Sequence, residues 1–273
     1  MTKVYKNSTE LMNLHGVPIY MADILEACLI GRLNLFLQGD TGSGKTQLAA
    51  DAMSYFPEGK SLFVLGRNDM DTRELFQQIN LEKLRNARNS TELKEITDKV
   101  TTNLIIVDEL SNCVPAVRAQ LFNLFDGYIE IGGKRYNLGR NYSVGIATGN
   151  IRQKFTESSN DLGRALKDRM HVVIDTDYFK PTPSDTLDIL VGNTNPRVEF
   201  SSEEEKRMDI LERAEKLKTE PVSGDKLIVA NYLFHGLDKC HVGGVLTSKT
   251  KLKEGWPNKV DNNQQGSDEA LVL

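Results

Sequence analysis

Residues 39–46 read GDTGSGKT, and this stretch decides the fold. Three glycines stand within eight residues around one lysine and one threonine, at a cost in backbone entropy that asks for a reason. The flanks supply it. Residues 32–37, RLNLFL, form a short apolar run of the kind found in a buried strand. Residues 46–56, TQLAADAMSYF, set Leu48, Ala49, Ala52, Met53 and Phe56 on one helical stripe. Strand, tight loop and helix start together make a phosphate cradle. The N–H groups of Gly42, Gly44 and Lys45 converge on phosphate oxygens, and the helix dipole adds positive potential. Gly39, Asp40, Thr41, Gly42, Ser43, Gly44, Lys45 and Thr46 fill the pattern G-x-x-x-x-G-K-T. In that pattern Lys45 reaches the β- and γ-phosphates and Thr46 places its hydroxyl on Mg²⁺. The expected ligands are Mg²⁺ and, as the default since the loop does not encode the base, ATP.

The chain around the loop has 273 residues, room for one large domain or a core with a smaller partner. Net charge is −4 with acids and bases interspersed, which disfavours a strongly basic nucleic-acid binder and leaves a local patch open. Cys28, Cys113 and Cys240 are scattered and form no disulfide framework, as in a reducing cytoplasm. Cys240 and His241 near His235 match no zinc spacing. The start, MTKVYKNSTELMNLHG, is too polar for a signal peptide, and no apolar run is long enough to span a membrane. A cytoplasmic protein is expected.

Along the chain, residues 1–17 read as a loosely ordered lead-in. PIYMADILEACLIG reads as a helix that starts at Pro18 and stops at Gly31. SLFVLG (61–66) is a second buried strand, and DTRELFQQI opens a helix with Asp71 as cap and Glu74 three residues on. Residues 80–100 are charged and predicted helical. TNLIIVDEL is a third strand, PAVRAQLFNLFDG a helix stopped by Gly127, and YIEIGGKRYNL a hairpin around Gly132 and Gly133. YSVGIATGN is a core strand, NDLGRALKDRM a short helix and HVVIDTD a last strand. Strands alternating with helices imply a mainly parallel sheet covered on both faces. After Lys180 three helices are expected, the first capped by Thr182 with Pro183 and Asp185, the second by Ser202 with Glu205. The domain reading is lead-in 1–17, nucleotide-binding α/β core 18–180 and helical domain 181–273.

Asp108 and Glu109 complete the nucleotide reading. Leu104–Val107 deliver them to the carboxyl end of a strand, where open α/β sheets bind ligands. Asp108 is placed to hold Mg²⁺, and Glu109 to orient and polarise the attacking water. Asn150 ends the strand VGIATGN, where its amide reaches the γ-phosphate or the water, or else caps a turn.

In this order, GDTGSGKT, LIIVDEL, the hairpin YIEIGGKRYNL, GIATGN and DLGRALKDRM resemble the AAA+ ATPases, and most of all their MoxR-like branch, over residues 15–180. The resemblance implies a P-loop NTPase (AAA+) fold, a parallel sheet sandwiched by helices and followed by a small helical lid. It implies that Lys45 and Thr46 are the Walker A residues, Asp108 and Glu109 the Walker B pair, and Asn150 the sensor 1. It implies that Arg169 is the arginine finger acting on a neighbouring subunit, hence a homo-oligomeric ring, typically a hexamer; Arg164 is the second choice. The pattern departs at sensor 2: no late-helix arginine matches, and Arg197 in NPR comes too early. Either sensor 2 is lacking or it lies beyond the chain end with the rest of the lid.

Three functions follow as expectations. The first is an ATP-hydrolysing machine that remodels or assembles protein partners. The second is a nucleic-acid motor or restriction-type component, with Lys134 and Arg135 at the hairpin tip on the phosphate backbone. The third is an ATP-gated scaffold with negligible turnover, for which the intact Glu109 is the counter-argument.

Overall fold

The computed structural model describes residues 8–79, 94–131, 133–149, 169–179, 182–191, 198–230, 239–242 and 245–248. In chain order its first half contains β1 (Glu10–Leu14), β2 (Val17–Tyr20), α1 (Met21–Gly31), β3 (Leu35–Gln38), α2 (Lys45–Met53), β4 (Ser61–Leu65), α3 (Thr72–Phe76), β5 (Gln77–Ile79) and β6 (Lys94–Ile96). Then come β7 (Leu104–Asp108), α4 (Pro115–Phe125), β8 (Tyr128–Ile131), β9 (Lys134–Asn137), β10 (Val144–Gly149), β11 (Val172–Asp175), α5 (Pro183–Val191), α6 (Glu203–Thr219), β12 (Lys239–Val242) and β13 (Val245–Ser248). The chain forms two compact units, Met1–Leu217 and Lys218–Leu273.

Five strands make one sheet in the order β11-β3-β10-β7-β4, every neighbouring pair parallel. The apolar runs explain why these strands sit at the centre. Leu104 and Ile106 of β7, Leu35 and Leu37 of β3, and Val144 and Ile146 of β10 face one cluster with α1, α2 and Ile210 and Ala214 of α6. Ile105 and Val107, Phe36 and Ala147 face the opposite cluster with α4, Phe76 and the β8 residues Ile129 and Ile131. Alternate side chains thus enter two cores, which is why each strand reads as continuously apolar. The register ends the strands together: Gly149 and Asp175 both lie beside Gln38, and Leu65 lies beside Asp108. The glycine-rich loop, the acidic pair and the end of β10 therefore meet at one edge.

Several local expectations change. The lead-in folds from residue 10: β1 and β2 pair antiparallel. His15 and Gly16 supply the two positive φ values (52° and 87°) of a tight hairpin turn, and Asn13 Oδ1 accepts the Gly16 N–H at 2.8 Å. Pro18 consequently sits in a strand. Helix α1 starts at Met21, where Asp23 accepts the Tyr20 N–H at 2.8 Å, and ends on a left-handed Arg32 instead of Gly31. Residues 77–79 and 94–96 form the pair β5–β6 where helices are predicted; residues 80–93 lie outside the described residues, as do residues 160–168 of the predicted helix NDLGRALKDRM, whose last two residues, Arg169 and Met170, are not helical. Beyond Lys180, α5 and α6 form as expected, with Thr182 Oγ1 accepting the Asp185 N–H at 3.2 Å and Ser202 Oγ that of Glu205 at 3.2 Å. Residues 224–230 are helical too. The antiparallel pair β12–β13 is an addition to that helical reading, in keeping with two four-residue runs flanking a Gly-Gly pair in the sequence.

Candidate active site

The loop between β3 and α2 has the shape its glycines allow. Gly39, Gly42 and Gly44 have φ of 148°, 83° and 88°, values that side-chain-bearing residues rarely adopt. Gly44 is the N-cap of α2, so the helix begins at Lys45 and its amino end faces the glycine-rich loop that leads into it. Lys45 Nζ lies across the loop, donating to the carbonyl of Gly39 at 2.8 Å and that of Asp40 at 2.7 Å.

Thr46 and Asp108 meet across 62 residues of sequence. The Thr46 hydroxyl donates at 3.0 Å and 3.1 Å to the two carboxylate oxygens of Asp108, itself nearly buried. Glu109 follows in the left-handed conformation, φ 57°, an uncommon backbone for a non-glycine residue and one that collects at functional sites. Its side chain is exposed and its Oε2 accepts from Asn112 Nδ2 at 2.7 Å. Asp108 thus closes β7, and Glu109 follows it directly as the strand turns away.

Three groups of residues that sequence reasoning passed over hold this arrangement. Thr148 of β10, almost wholly buried, donates to Asp108 Oδ1 at 2.5 Å and accepts the Glu109 N–H at 2.9 Å. A lone hydroxyl in the otherwise apolar run VGIATG was the available signal. Gly66 donates its N–H to the Asp108 carbonyl at 2.7 Å, and a side chain there would meet Glu109 O and Cys113 Sγ at 2.8 Å. The third group follows β11. Thr176 Oγ1 shares a hydrogen bond with Ser43 Oγ at 2.6 Å and donates to Gln38 O at 2.9 Å; Gln38 in turn donates to Asp175 Oδ2 at 2.9 Å. A side chain on Gly39 would overlap Thr176 Oγ1, which fixes glycine at that position as firmly as its φ does. The sequence signal was DTD at the end of HVVIDTD, where β11 closes the sheet.

Asn150 lies outside the described residues, as does Arg164; β10 ends at Gly149, one residue before Asn150. Arg169 is placed away from the loop of its own chain. Its carbonyl accepts from Asn34 Nδ2 at 3.0 Å, at the amino end of β3, whereas Gly39 follows the carboxyl end. Those ends are roughly 16 Å apart at about 3.3 Å per residue. The Arg169 guanidinium donates through Nε to Asp126 Oδ2 at 3.1 Å and lies 5.2 Å from the Phe122 ring centroid. The α6 arginines are engaged at that same amino-terminal edge or on α1: Arg207 Nε donates to Asn103 Oδ1 at 2.9 Å, and Arg213 bonds Glu26. Arg197 lies outside the described residues.

The donor pair, the Thr46 hydroxyl and the Asp108 carboxylate, is all oxygen and fits magnesium. Among the described residues no three His, Cys, Asp or Glu side chains gather to hold an ion, and Mg²⁺ takes one or two protein oxygens with phosphates and water completing its shell. Cys113, beside this site, is a free thiol whose burial raises its pKa, with Arg118 partly opposing.

Among solved structures, the chain is similar to a candidate ATPase from Cytophaga hutchinsonii, determined at 2.00 Å, with TM-score 0.55 and 17% identity over 80% of this chain. The match spans 62% of that protein's length, and at this identity it speaks for the fold alone. No curated protein matches the sequence. Residues 34–170 match the AAA domain of the dynein-related subfamily. That span opens at Asn34 before β3, takes in the glycine-rich loop, the Asp108–Glu109 pair and the β8–β9 hairpin, and closes at Met170 before β11. The chain belongs to the AAA domain family, dynein-related subfamily, and its glycine-rich loop is the P-loop of an AAA+ ATPase fold.

Proposed function

We propose that this chain hydrolyses ATP at the Lys45–Thr46–Asp108–Glu109 site, as one subunit of a MoxR-like ring that remodels protein partners. The observation that carries the reading is the Thr46–Asp108 contact at 3.0–3.1 Å with Glu109 adjacent. Thr46 and Asp108 would hold Mg²⁺, which neutralises phosphate charge when bound. Lys45 supplies the second cation at the β- and γ-phosphates. Glu109 accepts the proton of the attacking water, and Asn150 orients that water or the γ-phosphate. Phosphoryl transfer is mostly positioning and charge stabilisation, so these fixed groups are the machinery it needs.

Arg169 sits away from its own loop, at the amino end of β3, and so suits action on a neighbour in a ring; six subunits is what the MoxR-like resemblance implies. The β8–β9 hairpin, with Lys134 and Arg135 exposed at its turn, supports a protein-facing role and the MoxR-like branch; residues 181–273 would form the lid. Free, buried Cys28 and Cys113 suit a reducing cytoplasm, and no helix among the described residues is long and apolar enough to cross a membrane.

The phosphate loop does not fix the base, and residues 258–261 read NKVD, a guanine-reading spacing that falls outside the described residues. The test therefore measures phosphate release from ATP and from GTP. ATP turnover that Glu109→Gln lowers roughly 10²-fold while nucleotide binding persists supports the reading. Unchanged turnover in that variant removes Glu109 as the base, and preference for GTP removes ATP as the substrate.

A further inference from the structure

We propose that Thr148 is a positioning residue that sets both acidic side chains at once: its hydroxyl orients the Asp108 carboxylate for Mg²⁺ and anchors the Glu109 backbone. The inference rests on the reading of Asp108 as the magnesium-holding carboxylate.

The register makes the contact. Ala147 pairs with Val107 across β10 and β7, so the next residues in step are Thr148 and Asp108. Adjacent strands lie about 4.8 Å apart, a gap that one short hydroxyl spans. Every other side chain of β10 is apolar or absent. A hydroxyl offers one donor and two lone pairs. Here the donor goes to Asp108 Oδ1 at 2.5 Å, in the range of charge-assisted O–H bonds, and a lone pair takes the Glu109 N–H at 2.9 Å.

The two threonines on Asp108 are not equivalent. Thr46 lies in the first turn of α2, where the phosphate loop ends, and is the hydroxyl that the motif gives to the metal. Thr148 belongs to the rigid sheet, so its bond fixes the carboxylate independently of what Thr46 does. Its second bond holds Glu109 in the left-handed conformation (φ 57°) that turns the side chain out of the strand. One hydroxyl thereby links metal affinity to placement of the base. Losing an outer partner of this kind typically weakens metal affinity or activity 10- to 100-fold.

The experiment compares wild-type protein with Thr148→Val, Thr148→Ala and Thr148→Ser in the full chain. Affinity for a fluorescent ATP analogue is titrated against Mg²⁺ from a chelated baseline, hydrolysis is followed in parallel, and melting checks folding. Without Mg²⁺ all four bind the analogue alike. Thr148→Val and Thr148→Ala then need about 10- to 100-fold more Mg²⁺ to reach the same tightening, and their turnover falls by a similar factor. Thr148→Ser, which keeps the hydroxyl, stays within about threefold of wild type on the same scale. A wild-type Mg²⁺ midpoint in folded Thr148→Ala overturns the proposal, and so does a Thr148→Ser variant as impaired as Thr148→Ala. Where valine packs badly, the alanine–serine pair decides, since both lack the methyl group and only one lacks the hydroxyl. If Mg²⁺ does not tighten binding in the wild type, the magnesium reading of Asp108 itself falls, and this proposal with it.

Discussion

The Asp177 carboxylate accepts the backbone N–H of Asp40 through both oxygens, at 3.0 Å each. A residue just past the last strand of the sheet thus braces the first turn of the phosphate loop, 137 positions away in sequence. Asp177 is itself held by Asp175, whose Oδ1 accepts the Asp177 N–H at 3.1 Å. Bonds to a charged acceptor are worth more than neutral ones, about 1.5–3 kcal/mol. Asp177→Ala should therefore loosen the loop before nucleotide binds and raise KM for ATP about tenfold, with kcat changed less. Steady-state kinetics check this; an unchanged KM would mean the loop keeps its shape without the brace.

Arg169 should act in trans. Arg169→Ala is expected to bind ATP and lose turnover by roughly 10³-fold, the lower end for an arginine finger. Lys45→Ala is expected to lose ATP binding. Mixed with Lys45→Ala, the Arg169→Ala subunit keeps an intact pocket and borrows its neighbour's arginine, so activity partly returns. Asp126→Ala separates this from an intrachain role: it removes the ion pair partner and should leave turnover largely intact. A mixed assembly without recovery, alongside equal loss in Asp126→Ala, would assign Arg169 to the Asp126 pair.

Gly66→Ala should damage the site from behind. The added methyl would meet Glu109 O and Cys113 Sγ at 2.8 Å and Asp108 O at 3.0 Å, two of them backbone atoms that cannot swing aside. Overpacking of this sort costs about 1–3 kcal/mol. Thermal melting should fall by several degrees, and turnover should fall more than nucleotide affinity, because the displaced backbone carries Glu109. Wild-type melting would show that β4 and β7 part easily here.

The buried thiols should be slow. Burial pushes Cys28 up to about 11 from 9.0. In native protein at pH 8, iodoacetamide should leave Cys28 and Cys113 unlabelled, and denaturant should expose both, as mapped by mass spectrometry. The sign for stability follows from the raised value. The folded chain holds the Cys28 proton more tightly than the unfolded chain, so this contribution is complete below about pH 9 and is lost as the pH rises through about 11. A melting temperature flat across that window would contradict it.

The elements that the sequence determined by itself are those whose signal is local. GDTGSGKT requires glycine at three positive-φ positions, and the apolar runs of β3, β7 and β10 admit only strands covered on both faces. The capping pairs Thr182–Asp185 and Ser202–Glu205 lie three residues apart and were equally readable. Weak local signals misled. The β1–β2 hairpin hides behind a His-Gly turn, since histidine seldom advertises positive φ. Residues 94–96 carry a charged pattern that fits a surface helix or an edge strand alike, and only pairing with Gln77–Ile79 chose between them.

Only the tertiary structure decided which distant residues serve the site. Thr148, Gly66 and the Asp175–Thr176–Asp177 run carry no motif, and each matters through one contact made by register or by strand ends finishing together. The sequence placed Asp108 at a strand end, but the hydroxyl beside it depends on β10 lying between β3 and β7 with Ala147 opposite Val107. A shift of one residue would have set an alanine or a glycine there. Local propensity acts over a few residues, whereas these contacts join positions 39 to 138 apart, and only packing both cores onto one sheet brings them within a hydrogen bond.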